Sequence, residues 1–247
     1  MQELNVGNSS LNKGLIQSPL VIALDFPTFD QAILMAEMLD PKMCRVKVGK
    51  ELYTRAGPAI LEALHKRGFQ VFLDLKFHDI PNTTANAVAV AADLGVWMVN
   101  VHASGGRRMM EACVNKLAHY SIKPLLIGVT VLTSMVSDDL SEIGITCSPM
   151  DQVNRLAGLA KESGVDGVVC SAQESAQIKK NFGKEFCLVT PGIRPAFASA
   201  GDQQRIMTPS DAVKAGSDYL VVGRPVTQAE NPLLALTKVL EEIGMKS

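Results

Sequence analysis

Eight short, largely apolar runs punctuate the chain, spaced so that a helix can fit between each neighbouring pair. They are Leu20–Leu24, Arg45–Val48, residues 69–76, Trp97–Val101, Leu125–Leu132, Gly167–Cys170, Phe186–Val189 and Tyr219–Val222. Helical spacing occupies much of the remainder. It covers Asp30–Leu39, Pro58–Lys66 stopped by Gly68, Thr83–Leu94 capped by Asn82 or Thr83, and a helix that follows Gly105-Gly106 and runs to Leu117. Further on come Met150–Glu162 closed by Gly164, and Asn231–Ile243. Strands that alternate with helices must pair in parallel, because each crossover returns the chain to the same edge. Eight such units predict a (β/α)8 TIM barrel, a single catalytic domain over residues 19–247, with residues 1–18 as a polar N-terminal extension. A doubly wound open sheet is the alternative, but it usually has fewer strands and a Gly-rich first turn, which is missing after Leu24.

The residues that end these runs are polar, while the runs themselves are not. In order they are Asp25, Lys47, Asp74 with Lys76, His102, Thr133, Ser171, Arg194 in a long loop, and Gly223-Arg224. Chemistry in such barrels gathers at the C-terminal ends of the strands. Structural ion pairs alone would not gather polar groups at one end of nearly every strand. Net charge is −1, which gives no sign of a nucleic acid or an anionic membrane as partner, so attraction for an anion has to be local. The five cysteines are scattered without a C-x-x-C pair, and Cys44, Cys170 and Cys187 sit in or beside apolar runs. That usage predicts a reducing cytoplasm, with no disulfide framework and no zinc site. Residues 1–18 carry no signal-peptide apolar core, and no apolar run reaches membrane-spanning length.

Two groups of end residues suggest two tasks. Gly223-Arg224 and the loop with Arg194 match the place where these barrels hold a phosphate, with backbone N–H groups and a guanidinium gripping a dianion. Residues 193–208 are too long for an ordinary connection, and they predict either a lid over the ligand or a disordered insertion. The second group is Lys47, Asp74, Lys76 and Asp79. Strand period places Asp74 and Lys76 on one face, and adjacent strands bring Lys47 beside them. An alternating array of this kind fixes a lysine as an ammonium that can donate a proton to a carbanion. Spacing leaves two places open for Asp79, in this site or pointing toward a neighbouring subunit. Asp74-x-Lys76-x-x-Asp79 could also offer carboxylates to Mg²⁺, although the interleaved lysines already supply compensating charge. No second histidine or carboxylate sits at ligand spacing around His102, and His78 alternates away from the face that carries Lys76.

The run Asp74-Leu75-Lys76-Phe77-His78-Asp79-Ile80-Pro81-Asn82-Thr83 resembles the signature of the orotidine 5′-phosphate decarboxylase family. Ala23-Leu24-Asp25, Val46-Lys47-Val48-Gly49, Val131-Leu132-Thr133-Ser134, Pro191-Gly192-Ile193-Arg194 and Val222-Gly223-Arg224-Pro225 extend the resemblance in matching order, from about Pro19 onward. It implies decarboxylation of orotidine 5′-phosphate to UMP without cofactor or metal, the last step of pyrimidine nucleotide synthesis. It further implies Lys76 as proton donor to C6, in a charged set with Lys47, Asp74 and Asp79. Asp25 and Lys47 would bind the ribose, and Thr133 or Ser134 the base. Gln203 would reach in from the lid, with Arg194, Gly223 and Arg224 on the phosphate. Asp79 and Thr83 would come from the partner of a homodimer. A Mg²⁺-dependent sugar-phosphate decarboxylase, a Schiff-base aldolase using Lys76 and a non-catalytic nucleotide-binding barrel are the other readings of the same residues.

Overall fold

The strands close on themselves. A computed structural model, which describes residues 17–198 and 206–245, contains one parallel barrel of eight strands in sequence order. These are β1 (Leu20–Ala23), β2 (Arg45–Gly49), β3 (Val71–Phe77), β4 (Met98–His102), β5 (Leu125–Val129), β6 (Gly167–Val169), β7 (Cys187–Thr190) and β8 (Tyr219–Val222). β8 pairs back onto β1 through Leu20↔Leu220, Val21↔Val221 and Ile22↔Val222, so no edge is left open.

Strand period sorts the apolar residues into two layers. Leu20, Ile22, Val46, Val48 and Leu73 pack outward into one large core with helix residues such as Ile60, Leu64 and Val88. Val21, Phe72, Met98, Ile127, Val189 and Val221, contributed by six different strands, meet in a second, smaller core inside the barrel. Below that plug lies a buried cation. The Arg45 guanidinium sits 4.4 Å from the Trp97 ring centroid and donates to the Ser18 carbonyl at 2.6 Å and to Gln70 Oε1 at 2.8 Å. Moving two residues up each strand from this floor reaches the barrel mouth. Arg45 leads to Lys47, Phe72 to Asp74, Met98 to Asn100 and Val21 to Ala23, then Asp25 just beyond the strand.

Several expected boundaries shift for local reasons. The helix expected from Thr83 begins at Pro81 and ends at Asp93, with Ile80 rather than Asn82 or Thr83 as its cap. Proline suits this first position, because its missing N–H would have no partner there. β5 stops at Val129, where its ladder with β6 ends (Val129↔Val169), so Thr133 and Ser134 lie in a loop beyond the strand. Two helices, Lys50–Ala56 and Ser137–Glu142, and a helical turn, Arg224–Thr227, form where no helix was expected. The long segment after β7 is pinned at its base. Ile193 bridges Met207, and the Arg194 N–H donates to the Met207 carbonyl at 2.9 Å.

β6 is the shortest strand and it crowds its neighbour. A Cβ on Gly167 would overlap the Cys187 carbonyl oxygen of β7, which is backbone and cannot swing aside. Gly167→Ala is therefore expected to lower the unfolding free energy by about 1–3 kcal/mol, read as a lower urea midpoint at unchanged m. An unchanged midpoint would mean that the two strands are not held this close.

Candidate active site

The mouth of the barrel is one cavity of about 850 Å³. Asp25, Lys47, Asp74 and Lys76 line it from β1 to β3, and Arg194 and Arg224 line it from the β7–β8 side. Thr133 and Gly223 also reach it, whereas Ser134 does not. β3 and β7 lie four strands apart in an eight-stranded ring, so the charged array and the arginines face each other across the mouth. A ligand with a reacting carbon at one end and an anion at the other would span that opening.

The array is a row of alternating charges. Asp25 Oδ1 lies 3.1 Å from Lys47 Nζ, and Lys47 Nζ lies 3.3 Å from Asp74 Oδ2. The other carboxylate oxygen of Asp74 accepts from Lys76 Nζ at 2.6 Å. Burial disfavours charge on Lys47, but attraction first to Asp74 and then to Asp25 outweighs it and holds the ammonium above its ordinary value. Burial likewise works against the Asp74 carboxylate, yet Lys47, Lys76 and the hydrogen bonds from Lys76 and Asn100 bring it below the usual carboxylate range. The Lys47 ammonium and the Asp74 carboxylate are thus kept ionised together.

Lys76 reaches this position through an irregular backbone. β3 pairs with β4 as Leu73↔Val99 and then as Phe77↔Val101, four steps on one strand against two on the other. Lys76 sits in that bulge at φ 52°, and it is the only non-glycine residue with positive φ among the described residues. Such a conformation costs on the order of 1–3 kcal/mol and persists only where neighbours hold it. A simple pleat would not predict this bulge, although Asp74 and Lys76 still end on one side.

Other expected residues stand apart from the array. Asp79 is exposed beyond β3, where its Oδ1 accepts from the Ile80 N–H at 2.6 Å, and no ion pair among the described residues joins it to Lys76. Thr83 is exposed on the helix that follows. Gln203 lies outside the described residues. Arg194 is buried, and its Nη1 donates to the Ile193 carbonyl at 3.0 Å. The His102 and His78 rings lie tilted to each other with centroids 5.4 Å apart. Burial, then His78, Lys50 and Lys76, make its imidazolium harder to form. Sequence reasoning missed Asn100, which is fully buried and bonds both Asp74 and Lys76. Its one signal was a polar residue interrupting the apolar run of β4. No cluster of three His, Cys, Asp or Glu side chains suited to a metal ion occurs among the described residues.

The chain matches the family model described as Orotidine 5′-phosphate decarboxylase / HUMPS family over residues 18–239. It is 65% identical over 230 residues to the orotidine 5′-phosphate decarboxylase of a Marinomonas species, covering 93% of this chain and 98% of that one. Its similarity to the enzyme of that name from Chromohalobacter salexigens is 61% identity over 232 residues, with 94% and 98% coverage. Among solved structures, orotidine 5′-phosphate decarboxylase from Lactobacillus acidophilus superposes with a TM-score of 0.82 at 39% identity, covering 92% of this chain and 99% of that chain. An uncharacterized conserved protein from Geobacillus kaustophilus gives 0.81 at 42% identity, with 91% and 100% coverage.

Asp74→Asn leaves Lys47 and Lys76 facing each other without the anion between them, and is expected to lower the unfolding free energy by about 3 kcal/mol at neutral pH. The native state favours the ionised carboxylate, so this contribution is complete above about pH 4 and fades as pH falls through the lower folded value. Urea titrations of both proteins at neutral and acid pH test this. The gap should narrow in acid; no gap at neutral pH, or a gap that widens in acid, contradicts it.

Proposed function

The chain belongs to the orotidine 5′-phosphate decarboxylase / HUMPS family, and from that premise we propose how its barrel mouth converts orotidine 5′-phosphate to UMP and CO2. The observation that carries the reading is the Lys47–Asp74–Lys76 array, which shares one cavity with Arg194 and Arg224. The C6–carboxylate bond of the pyrimidine breaks, CO2 departs, and the bonding electron pair stays on C6. Nothing in the ring can delocalise that pair well, so the site has to stabilise it by charge. The Lys76 ammonium does so and then transfers its proton to C6, becoming an amine that regains a proton from water. Asp74 fixes that ammonium at 2.6 Å and keeps Lys47 charged beside it. No step in this scheme calls on a cofactor or metal.

The remaining assignments extend this reading to the other parts of the ligand. Asp25 and Lys47, paired at 3.1 Å, take the ribose hydroxyls. Thr133 lines the cavity and contacts the base, with Ser134 beside it in the same loop. Arg194, Gly223 and Arg224 hold the phosphate, whose binding energy is available to order the site around the distant reacting carbon. Gln203, from the segment after β7, completes the set over base and phosphate. Asp79 and Thr83 serve the neighbouring site of a homodimer. Their support is exposure within the single chain, together with Ile80, a large apolar side chain 67% exposed between them. Five thiols without a disulfide among the described residues agree with a cytoplasmic setting. No helix among the described residues is long and apolar enough to cross a membrane.

Lys76→Ala should lower kcat on orotidine 5′-phosphate by about 10²–10⁴-fold or more, followed by loss of its ultraviolet absorbance. Asp79→Ala should also be nearly inactive. Mixing the two under conditions that exchange subunits should restore about a quarter of wild-type activity, since half the dimers then carry one intact site. Substantial turnover by Lys76→Ala would refute the proton-donor role. Failure of the mixture to recover would refute the shared site.

A further inference from the structure

Asn100 occupies the inward position of β4 between Val99 and Val101, level with the β3 bulge. Its side chain has no exposure, and both of its polar ends are engaged by the charged array. The Lys76 backbone N–H donates to Asn100 Oδ1 at 2.7 Å, and Asn100 Nδ2 donates to Asp74 Oδ1 at 2.7 Å. The amide can sit only this way round. A backbone N–H must meet the oxygen, and a carboxylate must meet the nitrogen. The oxygen of Asp74 that Asn100 binds is the same one that accepts from Lys76 Nζ.

We propose that Asn100 is a positioning residue for the decarboxylation, a bridge that holds the Lys76 backbone in its left-handed bulge and aims the Lys76 ammonium through Asp74. Three observations converge on this role. The register slip between Leu73↔Val99 and Phe77↔Val101 takes Lys76 out of the regular ladder, and the Asn100 oxygen supplies the acceptor for its N–H. Lys76 has φ 52°, a conformation that relaxes elsewhere unless it is anchored. Asp74 is held from two directions, by an ammonium and by a neutral amide, so it keeps its orientation while the Lys76 proton moves. A neutral donor suits this place because a third cation would compete for Asp74, and a carboxylate would repel it. The proposal rests on Lys76 acting as the proton donor.

The test compares Asn100→Ala, which loses both bonds, with the near-isosteric Asn100→Asp, which keeps the acceptor for Lys76 and loses the donor to Asp74. UMP binding, measured by calorimetry, counts folded sites and reports the groups that hold ribose and phosphate. Both variants should lose about 10–100-fold in kcat at neutral pH, the scale of a hydrogen bond to a charged group, while UMP affinity changes by less than about threefold. For Asn100→Asp, kcat should rise relative to wild type as pH falls, because a protonated carboxyl again donates to Asp74. Lys47, Lys76, His102 and His78 face the same region in every variant, so the ratio to wild type isolates the substituted group. Wild-type kcat in either variant would overturn the proposal. So would parallel loss of kcat and UMP binding in both, which marks a merely structural role. If Lys76→Ala turned over substrate as wild type does, the underlying proton-donor reading would fail instead, and the two failures are separable.

Discussion

One carboxylate holds this site together. Asp74 accepts from Lys76 at 2.6 Å and from Asn100 at 2.7 Å on one oxygen, and faces Lys47 at 3.3 Å on the other. Lys47 is bound in turn by Asp25 at 3.1 Å. Two lysines this close would repel without an anion between them, and a buried carboxylate would be left without compensating charge in their absence. The arrangement is therefore collective, and each charge depends on its neighbours. A closed barrel suits it, because four parallel strand ends converge on a volume small enough for every charge to reach the next.

The same geometry explains why the interior is apolar below and charged above. Inward positions alternate along each strand, so the plug of Phe72, Met98 and Ile127 lies beneath Asp74, Asn100 and the mouth. The plug withholds water from the underside of the array and strengthens every interaction above it. Arg45, sealed between Trp97, Ser18 and Gln70, closes the floor at the opposite end. Such a mouth sacrifices some stability for function, since a strained Lys76 and desolvated charges are kept only where the surrounding barrel is rigid.

Much of this was legible in the sequence, and for a physical reason. Strand period two and helix period 3.6 leave separate marks, and eight repetitions of that change specify the barrel. The polar residue closing each apolar run marked the mouth, so Asp25, Lys47, Asp74 and Lys76 were found by position and meet in space as that reading required. Asn100 was not found, because its importance comes from a register slip between two strands, and a slip has no local sequence pattern. The cap of the helix at Pro81 was misplaced because proline at the first helical position can replace a side-chain cap. Lys50–Ala56 escaped notice because it follows β2 directly, without a turn to announce it. Gln203 falls outside the described residues. Asp79 and Thr83 are exposed within one chain, and a single chain holds no information on what faces them.

Charged side chains at the barrel mouth, rather than a metal ion, are proposed to carry the decarboxylation. The most direct test is the rate at which the protein consumes orotidine 5′-phosphate, followed in the ultraviolet after exhaustive treatment with EDTA. The account predicts the same kcat before and after chelation, with no gain from added Mg²⁺. Loss of turnover on chelation, restored by Mg²⁺, would contradict it and would point to a metal-assisted reaction at the same barrel mouth.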